Sequence, residues 1–297
     1  MSVIYEMEEV LMVVKTYPTP SAAHGETICT GGIRLRDNAW IRIFPFPFRL
    51  AEVNVLFKKW DILRLPLAAP RNDPRPESRR LHDVRLVEHI RGMGTEDGFW
   101  TERMSYLLPT VATCVQEVLN GIPKKGNQNW GGTIRPVQIK PNTGRVVINR
   151  LRNSNWTADE RAKLMEAQRM AQEGLYSDQP DPNFRQLRKF PYEFRLQFED
   201  MTGAPYDFMV TDWEVPALYF RNINDGKSAE CAIEEVANRM QSLILDPGKN
   251  AYAILGSTHF HLKQKNLIIG GFAYCKPPKE PKQKGPPQMR GLWDTDE

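Results

Sequence analysis

Five consecutive apolar residues, Val10–Val14, run without a polar interruption into Lys15. Successive side chains of a strand point to opposite faces, so this run reads as a strand buried on both sides. Pro18 and Pro20 stop it and force an extended loop. Further strands are expected at Glu26–Thr30, Ala39–Phe44 and Trp60–Leu67, with Gly31-Gly32 between the first two. Another is expected near Asp83–His89, after the proline- and arginine-rich PRNDPRPESRR. A first third this dense in short strands reads as β-rich, in the manner of a partly open barrel.

Helical spacing takes over from Phe99 to Leu119, through Met104, Leu107, Leu108, Val111, Val115, Val118 and Leu119, with Pro109 kinking or dividing the helix. Thr133–Lys140 and Arg145–Arg150 read as a hairpin joined through Asn142-Thr143-Gly144. Thr157 and Glu160 form a capping box for a charged helix to about Gly174. A second hairpin is expected from Phe190–Glu199 and Pro205–Val210, then a helix over about Ser228–Leu245. Ala251–Leu255 and Asn266–Tyr274 close the chain as strands. The expected class is α+β: a mixed sheet or partly open β-barrel core with several flanking helices. Residues 1–275 read as one compact domain, β-rich over about 8–93 and mixed over about 94–275. Residues 276–297, proline- and lysine-rich, read as a disordered tail.

Composition narrows the function classes. At 297 residues and 41% hydrophobic, the chain can bury one large core or two modest ones. Its net charge of +4 does not force a nucleic-acid partner, so any basic surface must come from segregation. Cys29, Cys114, Cys231 and Cys275 lie far apart with no CxxC pair, which argues against a zinc ribbon or a disulfide framework. No basic leader and no run of ~18 apolar residues is present, so a cytoplasmic protein with no membrane partner is expected. No obligate protein partner is expected. The phosphate loop, the GxGxxG turn, HExxH, GxSxG and the zinc deaminase pattern are missing, and this demotes ATPases, Rossmann oxidoreductases, zinc proteases and α/β-hydrolases.

Five stretches carry candidate chemistry. The polar connection from Lys15 to Thr30 holds Lys15, Tyr17, His24 and Glu26 between two apolar strands. Lys15, at the end of a buried strand, is a candidate amine nucleophile, and Glu26 a candidate general base or cation stabiliser. In WIRIFPFPFR, Ile41 and Ile43 fall on one face, while Trp40, Arg42 and Phe44 fall on the other with Arg49 beyond. That second face interleaves rings with a guanidinium, as base-stacking surfaces do. The alternative is that Trp40 and Phe44 lie under a helix and Arg42 pairs with an acid such as Asp61. Arg75, Arg79 and Arg80 beside prolines are candidates for phosphate contact, or else part of a solvated mixed-charge face.

Asp212-Trp213-Glu214 follows a strand. If the next helix begins at Pro216, both acids are released from capping, one can act as base or cation stabiliser, and Trp213 offers a stacking plane. His259 and His261, with Lys263 and Lys265, read as a hairpin tip that contacts a nucleic-acid backbone. The remaining histidines supply no matching ligand set for a metal, so neither metal nor cofactor is expected.

VVKTYPTPS, GETICTGGI, WIRIFPFPFR, DPRPES, TDWE and GSTHFH, in that order over residues 10–275, resemble a widespread prokaryotic family associated with phage defence. The set is similar to phage-defence DNA glycosylases that excise glucosylated hydroxymethylcytosine from T-even phage DNA. The resemblance implies a DNA glycosylase, a hydrolase of the N-glycosidic bond that flips a modified base of phage DNA and leaves an abasic site as antiviral defence. It transfers no residue roles by position, so the candidates above rest on their chemistry. Cleavage builds positive charge on the deoxyribose, which a carboxylate such as Glu26, Asp212 or Glu214 can stabilise. Flipping costs a few kcal/mol, which rings such as Tyr17, Trp40 or Trp213 can return. A non-catalytic reader of modified or structured nucleic acid, or a nuclease, are the alternatives.

Overall fold

The computed structural model describes residues 4–21, 24–49, 57–95, 100–123, 129–173, 186–258 and 266–277, and the fold is α+β. The first seven strands are β1 (Glu6–Lys15), β2 (Thr19–Ser21), β3 (Gly25–Arg34), β4 (Trp40–Phe46), β5 (Asp61–Ala68), β6 (Ser78–Leu81) and β7 (Glu88–Gly92). They pair in the order β1-β3-β4-β6-β5-β7, with β2 on β3. A further β1–β5 ladder, from Glu6↔Leu67 to Leu11↔Ile62, closes β1, β3, β4, β6 and β5 into a five-stranded barrel. The β4–β6 pair is parallel and the others antiparallel, so the barrel is mixed and closed rather than partly open.

β1 is buried on both faces because the barrel is itself covered. Val10 and Met12 join Ile28, Ile41, Ile43, Phe46, Leu63 and Leu65 in one core. Leu11 and Val13 join a second core with Ile33, Trp40, Trp60, Ile62, Met104, Leu107, Ile134, Tyr252 and Ile254. That second core mixes barrel residues with residues from the far half of the chain. Gly31 and Gly32 lie inside β3, not between strands. A Cβ on Gly32 would sit 2.0 Å from the Leu11 carbonyl oxygen, so the close passage of β3 over β1 requires a residue without one.

The rest of the chain adds α1 (Thr101–Leu107), α2 (Val115–Asn120), β8 (Ile134–Ile139), β9 (Arg145–Arg150), α3 (Ala158–Gln172), β10 (Tyr192–Glu199), β11 (Pro205–Met209), α4 (Glu214–Asn224), α5 (Ala229–Ile244), β12 (Asn250–Ser257) and β13 (Leu267–Cys275). Pro109 divides the expected long helix: it falls in a 3-10 turn over Leu108–Thr110 between α1 and α2. The stretch expected as a strand near Asp83–His89 is a 3-10 turn over Val84–Leu86, capped by the Asp83 side chain, with β7 only from Glu88. The expected β8–β9 hairpin does not form. β8 pairs with β12, and β9 pairs with β10, so Asn142-Thr143-Gly144 carries the chain between two sheets. The orders are β11-β10-β9 and β13-β12-β8, and both sheets share one core with α2, α4 and α5. The Thr157–Glu160 capping box is present at α3.

α4 begins at Glu214, two residues before Pro216. The N–H groups of a helix's first turn have no intrahelical acceptor, so a proline there loses nothing. Asp212 therefore has a local structural role after all: its Oδ1 accepts the Glu214 N–H at 3.1 Å. Among the described residues, no helix is long and apolar enough to cross a membrane.

Candidate functional site

The site grows from the end of β1. Beyond Lys15 the chain keeps its extended path, and Thr16 bridges Asp212 in antiparallel fashion. The Tyr17 N–H donates to the Thr211 carbonyl at 2.9 Å, and the Trp213 N–H donates to the Lys15 carbonyl at 2.8 Å. Two segments 196 positions apart are thus clamped together, and the clamp sets Lys15, Tyr17, Asp212, Trp213 and Glu214 side by side. Lys15 and Tyr17 are two residues apart in an extended segment and so project to the same side. Trp213 touches both: its ring lies 4.6 Å from the Lys15 Nζ and 5.6 Å from the Tyr17 ring.

Two lysines and two acids meet here, unevenly matched. Lys59, in the turn before β5, donates to Asp212 Oδ2 at 2.8 Å and lies 2.7 Å from Glu214 Oε2. Burial opposes its charge, but the two carboxylates outweigh burial and hold its pKa above the ordinary lysine range. Burial likewise pushes the Asp212 carboxyl upward, with Glu214 adding to that push and Lys59 opposing it. Lys15 is 7% exposed and receives neither acid. Its Nζ donates to the Phe57 carbonyl at 3.2 Å and sits 3.4 Å from the centre of the Phe48 ring. Burial, with Lys59 adding to it against Glu214, Asp212 and Asp61, lowers its pKa to about 7.

Glu26, on β3, is 2% exposed. Its Oε2 accepts from Arg49 Nη1 at 2.9 Å, while Oε1 is buried with no hydrogen-bond partner among the described residues. Burial raises its pKa to about 7, with Arg49 pulling the other way. Tyr17 connects this end to the first. Burial raises its phenol, Arg49, Arg188 and Glu26 act on it electrostatically, and its hydroxyl donates to the Arg188 carbonyl at 2.8 Å. Phe48, next to Arg49, meets Trp213 edge-on at 5.5 Å. The Arg188 guanidinium lies 4.0 Å over the Phe220 ring. One continuous wall therefore runs from Lys59, Asp212 and Glu214 through Lys15, Phe48, Trp213 and Tyr17 to Arg49 and Glu26.

Of the sequence candidates, the structure brings together Lys15, Tyr17, Glu26, Arg49, Asp212, Trp213 and Glu214. It removes three others from any binding face. Trp40 is 9% exposed and belongs to the buried core that also holds Met104 and Leu107 of α1. Arg42 is 5% exposed beneath the far half of the chain. It faces Cys29, Thr133 and Glu77, not Asp61, whose carboxylate is taken by the Lys58 N–H and His89. Arg75 is also 5% exposed, paired with Asp73 and donating to Ser257. Alternation along β4 does separate Ile41 and Ile43 from Trp40 and Arg42, but both faces are covered, and only Phe44 stays exposed.

Arg79 and Arg80 are half-buried and donate to the carbonyls of Pro76, Ser78 and Ala69. His259, His261, Lys263 and Lys265 lie outside the described residues. Among the described residues, no group of three or more His, Cys, Asp and Glu side chains is placed to hold a metal ion. Lys59, Phe48, Phe57 and Arg188 belong to the wall and were not singled out by sequence. Phe48 was visible in WIRIFPFPFR, but Lys59 is marked only by its place before a buried strand.

Comparison with known proteins gives a family without an activity. Residues 113–295 match the model described as "Domain of unknown function (DUF8757)", and the chain belongs to that family. Residues 6–109 match the model described as "Domain of unknown function (DUF8758)". No curated protein matches the chain. Among solved structures, the chain is similar to the tetrameric p202 HIN2 at 7% identity and a TM-score of 0.27, with 93% of this chain and 96% of that one covered. A likeness this distant carries no argument.

Proposed function

We propose that this member of the DUF8757 family is a DNA glycosylase. It acts on an everted, modified base, with glucosylated hydroxymethylcytosine of phage DNA as the leading candidate, and leaves an abasic site. The observation that carries the reading is Glu26: a buried carboxyl with one oxygen fixed by Arg49 and the other unsatisfied among the described residues, on the same wall as the Tyr17 and Trp213 rings. A buried polar atom without a partner costs free energy in the free protein, and a ligand atom that engages it recovers that cost. In the proposed reaction the ionised Glu26 stabilises positive charge on the deoxyribose and orients a water. Tyr17 and Trp213 grip the displaced base or its attached sugar. Arg49 and Arg188 stand beside them for the flanking phosphates. Trp40, Arg42 and Arg75 have no part in this binding.

The test is incubation of the full chain with plain, hydroxymethylated and glucosylated DNA, followed by mass analysis of released small molecules. Release of the modified base by the wild type, and its loss in Glu26→Gln with DNA affinity kept, supports the reading. A second reading, a non-catalytic reader of modified DNA, is favoured by one observation: Lys59 engages both Asp212 and Glu214, so neither acid is uncommitted. Binding of glucosylated DNA with no release from any of the three substrates would establish it in place of the glycosylase.

A further inference from the structure

The uneven match of two lysines with two acids points to a second chemical capacity in this wall. Resting on the glycosylase reading, we propose that Lys15 is an imine-forming amine whose substrate is the open-chain aldehyde at C1′ of an abasic deoxyribose in DNA.

Both carboxylates at this end go to Lys59, at 2.8 and 2.7 Å. Among the described residues, the Lys15 Nζ is left with one carbonyl, Phe57 at 3.2 Å, and three ring faces: Phe48 at 3.4 Å, Trp213 at 4.6 Å and Phe57 at 5.2 Å. Among the described residues it has no carboxylate within ion-pair distance. A buried ammonium without a counter-ion, beside a second ammonium that has two, favours release of its proton. The rings oppose this by attracting the cation. The balance leaves the amine titrating about 7, so a large share is neutral and nucleophilic near neutral pH. Position fits the substrate: Lys15 and Tyr17 flank Trp213, so a sugar whose base stacks against the face that Tyr17 and Trp213 share lies beside the amine.

The step balances without a co-reactant. The nitrogen lone pair forms a bond to the aldehyde carbon, and the carbonyl oxygen takes up the proton from nitrogen to give a carbinolamine. Loss of that oxygen as water, with the second nitrogen proton, leaves the C=N bond. Lys59 is a positioning residue: it touches no substrate, but it occupies Asp212 and Glu214 and repels a proton on Lys15.

The test uses a DNA duplex carrying one uracil converted to an abasic site, incubated with the full-length protein and sodium borohydride. The expected result is a reduced covalent adduct that peptide mapping places on Lys15. It falls at least 100-fold in Lys15→Arg and Lys15→Met, and adduct formation by the wild type rises with pH through about 7. The charged groups that set this midpoint are Lys59, Asp212, Glu214 and Asp61. Lys59→Met removes the repelling charge and frees Asp212 and Glu214 to pair with Lys15, so the midpoint moves up by at least one pH unit. No adduct in the wild type, or an adduct mapped to another lysine, overturns the proposal and needs no variant to fold. Base release from glucosylated DNA without an adduct sinks the imine and leaves Glu26 standing. An adduct on Lys15 without base release supports the imine and sinks the glycosylase.

Discussion

Glu26 is the residue on which structure and chemistry press hardest. Its pKa rises from an ordinary 4.5 to about 7, so between those values the folded protein keeps a proton that the unfolded chain has released. Stability of the wild type therefore falls as pH rises through that window and levels off above it. At ~1.4 kcal/mol per pH unit the full effect is about 3 kcal/mol. Glutamine does not titrate, so the stability of Glu26→Gln relative to wild type should be more favourable at pH 8 than at pH 5. Thermal melts at the two pH values read this directly, and an unchanged difference would show that Glu26 carries no such strain. Lys15 works with the opposite sign. Its folded pKa is lowered, so its penalty is present below about 7 and relieved as pH rises toward the ordinary lysine value of 10.5. Lys15→Met should be stabilised relative to wild type at pH 7, with the gain shrinking by pH 10.

Between elements, the arginines show why residue type alone misleads. Arg75 and Arg42 look in sequence like phosphate ligands, yet they belong to a buried polar seam. Arg75 joins Asp73 and Ser257, Ser257 donates to Thr133, and Glu77 accepts from Thr133 while facing Arg42. The seam fastens the barrel to β12 and the start of β8. Arg75→Ala leaves Asp73 without its counter-ion and should cost about 3 kcal/mol of stability, while the salt dependence of DNA binding stays unchanged. A lower salt slope at unchanged stability would return Arg75 to the binding face. Gly32 tests barrel closure. Gly32→Ala drives a methyl against the Leu11 carbonyl and should cost ~3 kcal/mol or more, read by denaturant unfolding.

Local signals were legible. The Val10–Val14 run, the Thr157–Glu160 cap and Pro109 each act within a few residues, and each has its structural counterpart. Long-range pairing was not. β8 and β9 were adjacent in sequence with a good turn between them, yet each found a better partner elsewhere, because two sheets bury more apolar surface than one isolated hairpin. The candidate site divides the same way. Lys15, Glu26 and Asp212 were found because polar residues at strand ends are conspicuous. The unequal sharing of acids between Lys15 and Lys59 depends on a clamp across the whole chain and leaves no trace in spacing.

At the scale of the whole molecule, the core around Trp40 and Trp60 takes residues from both family-matched stretches, including Ile134, Tyr252 and Ile254. The wall of the site also draws on both, through Lys15 and Glu26 from one and Asp212 and Trp213 from the other. Unfolding should therefore be a single transition, with tryptophan fluorescence and circular dichroism coincident. Two separated transitions would mean that each half holds its own stability and that the site assembles from independent parts. The proposed activity stands on a buried acid that acts on a displaced nucleotide. Mass analysis of what the full chain liberates from glucosylated DNA tests this most directly. It predicts the free modified base from the wild type and none from Glu26→Gln at equal DNA occupancy. Equal release by both proteins would contradict it.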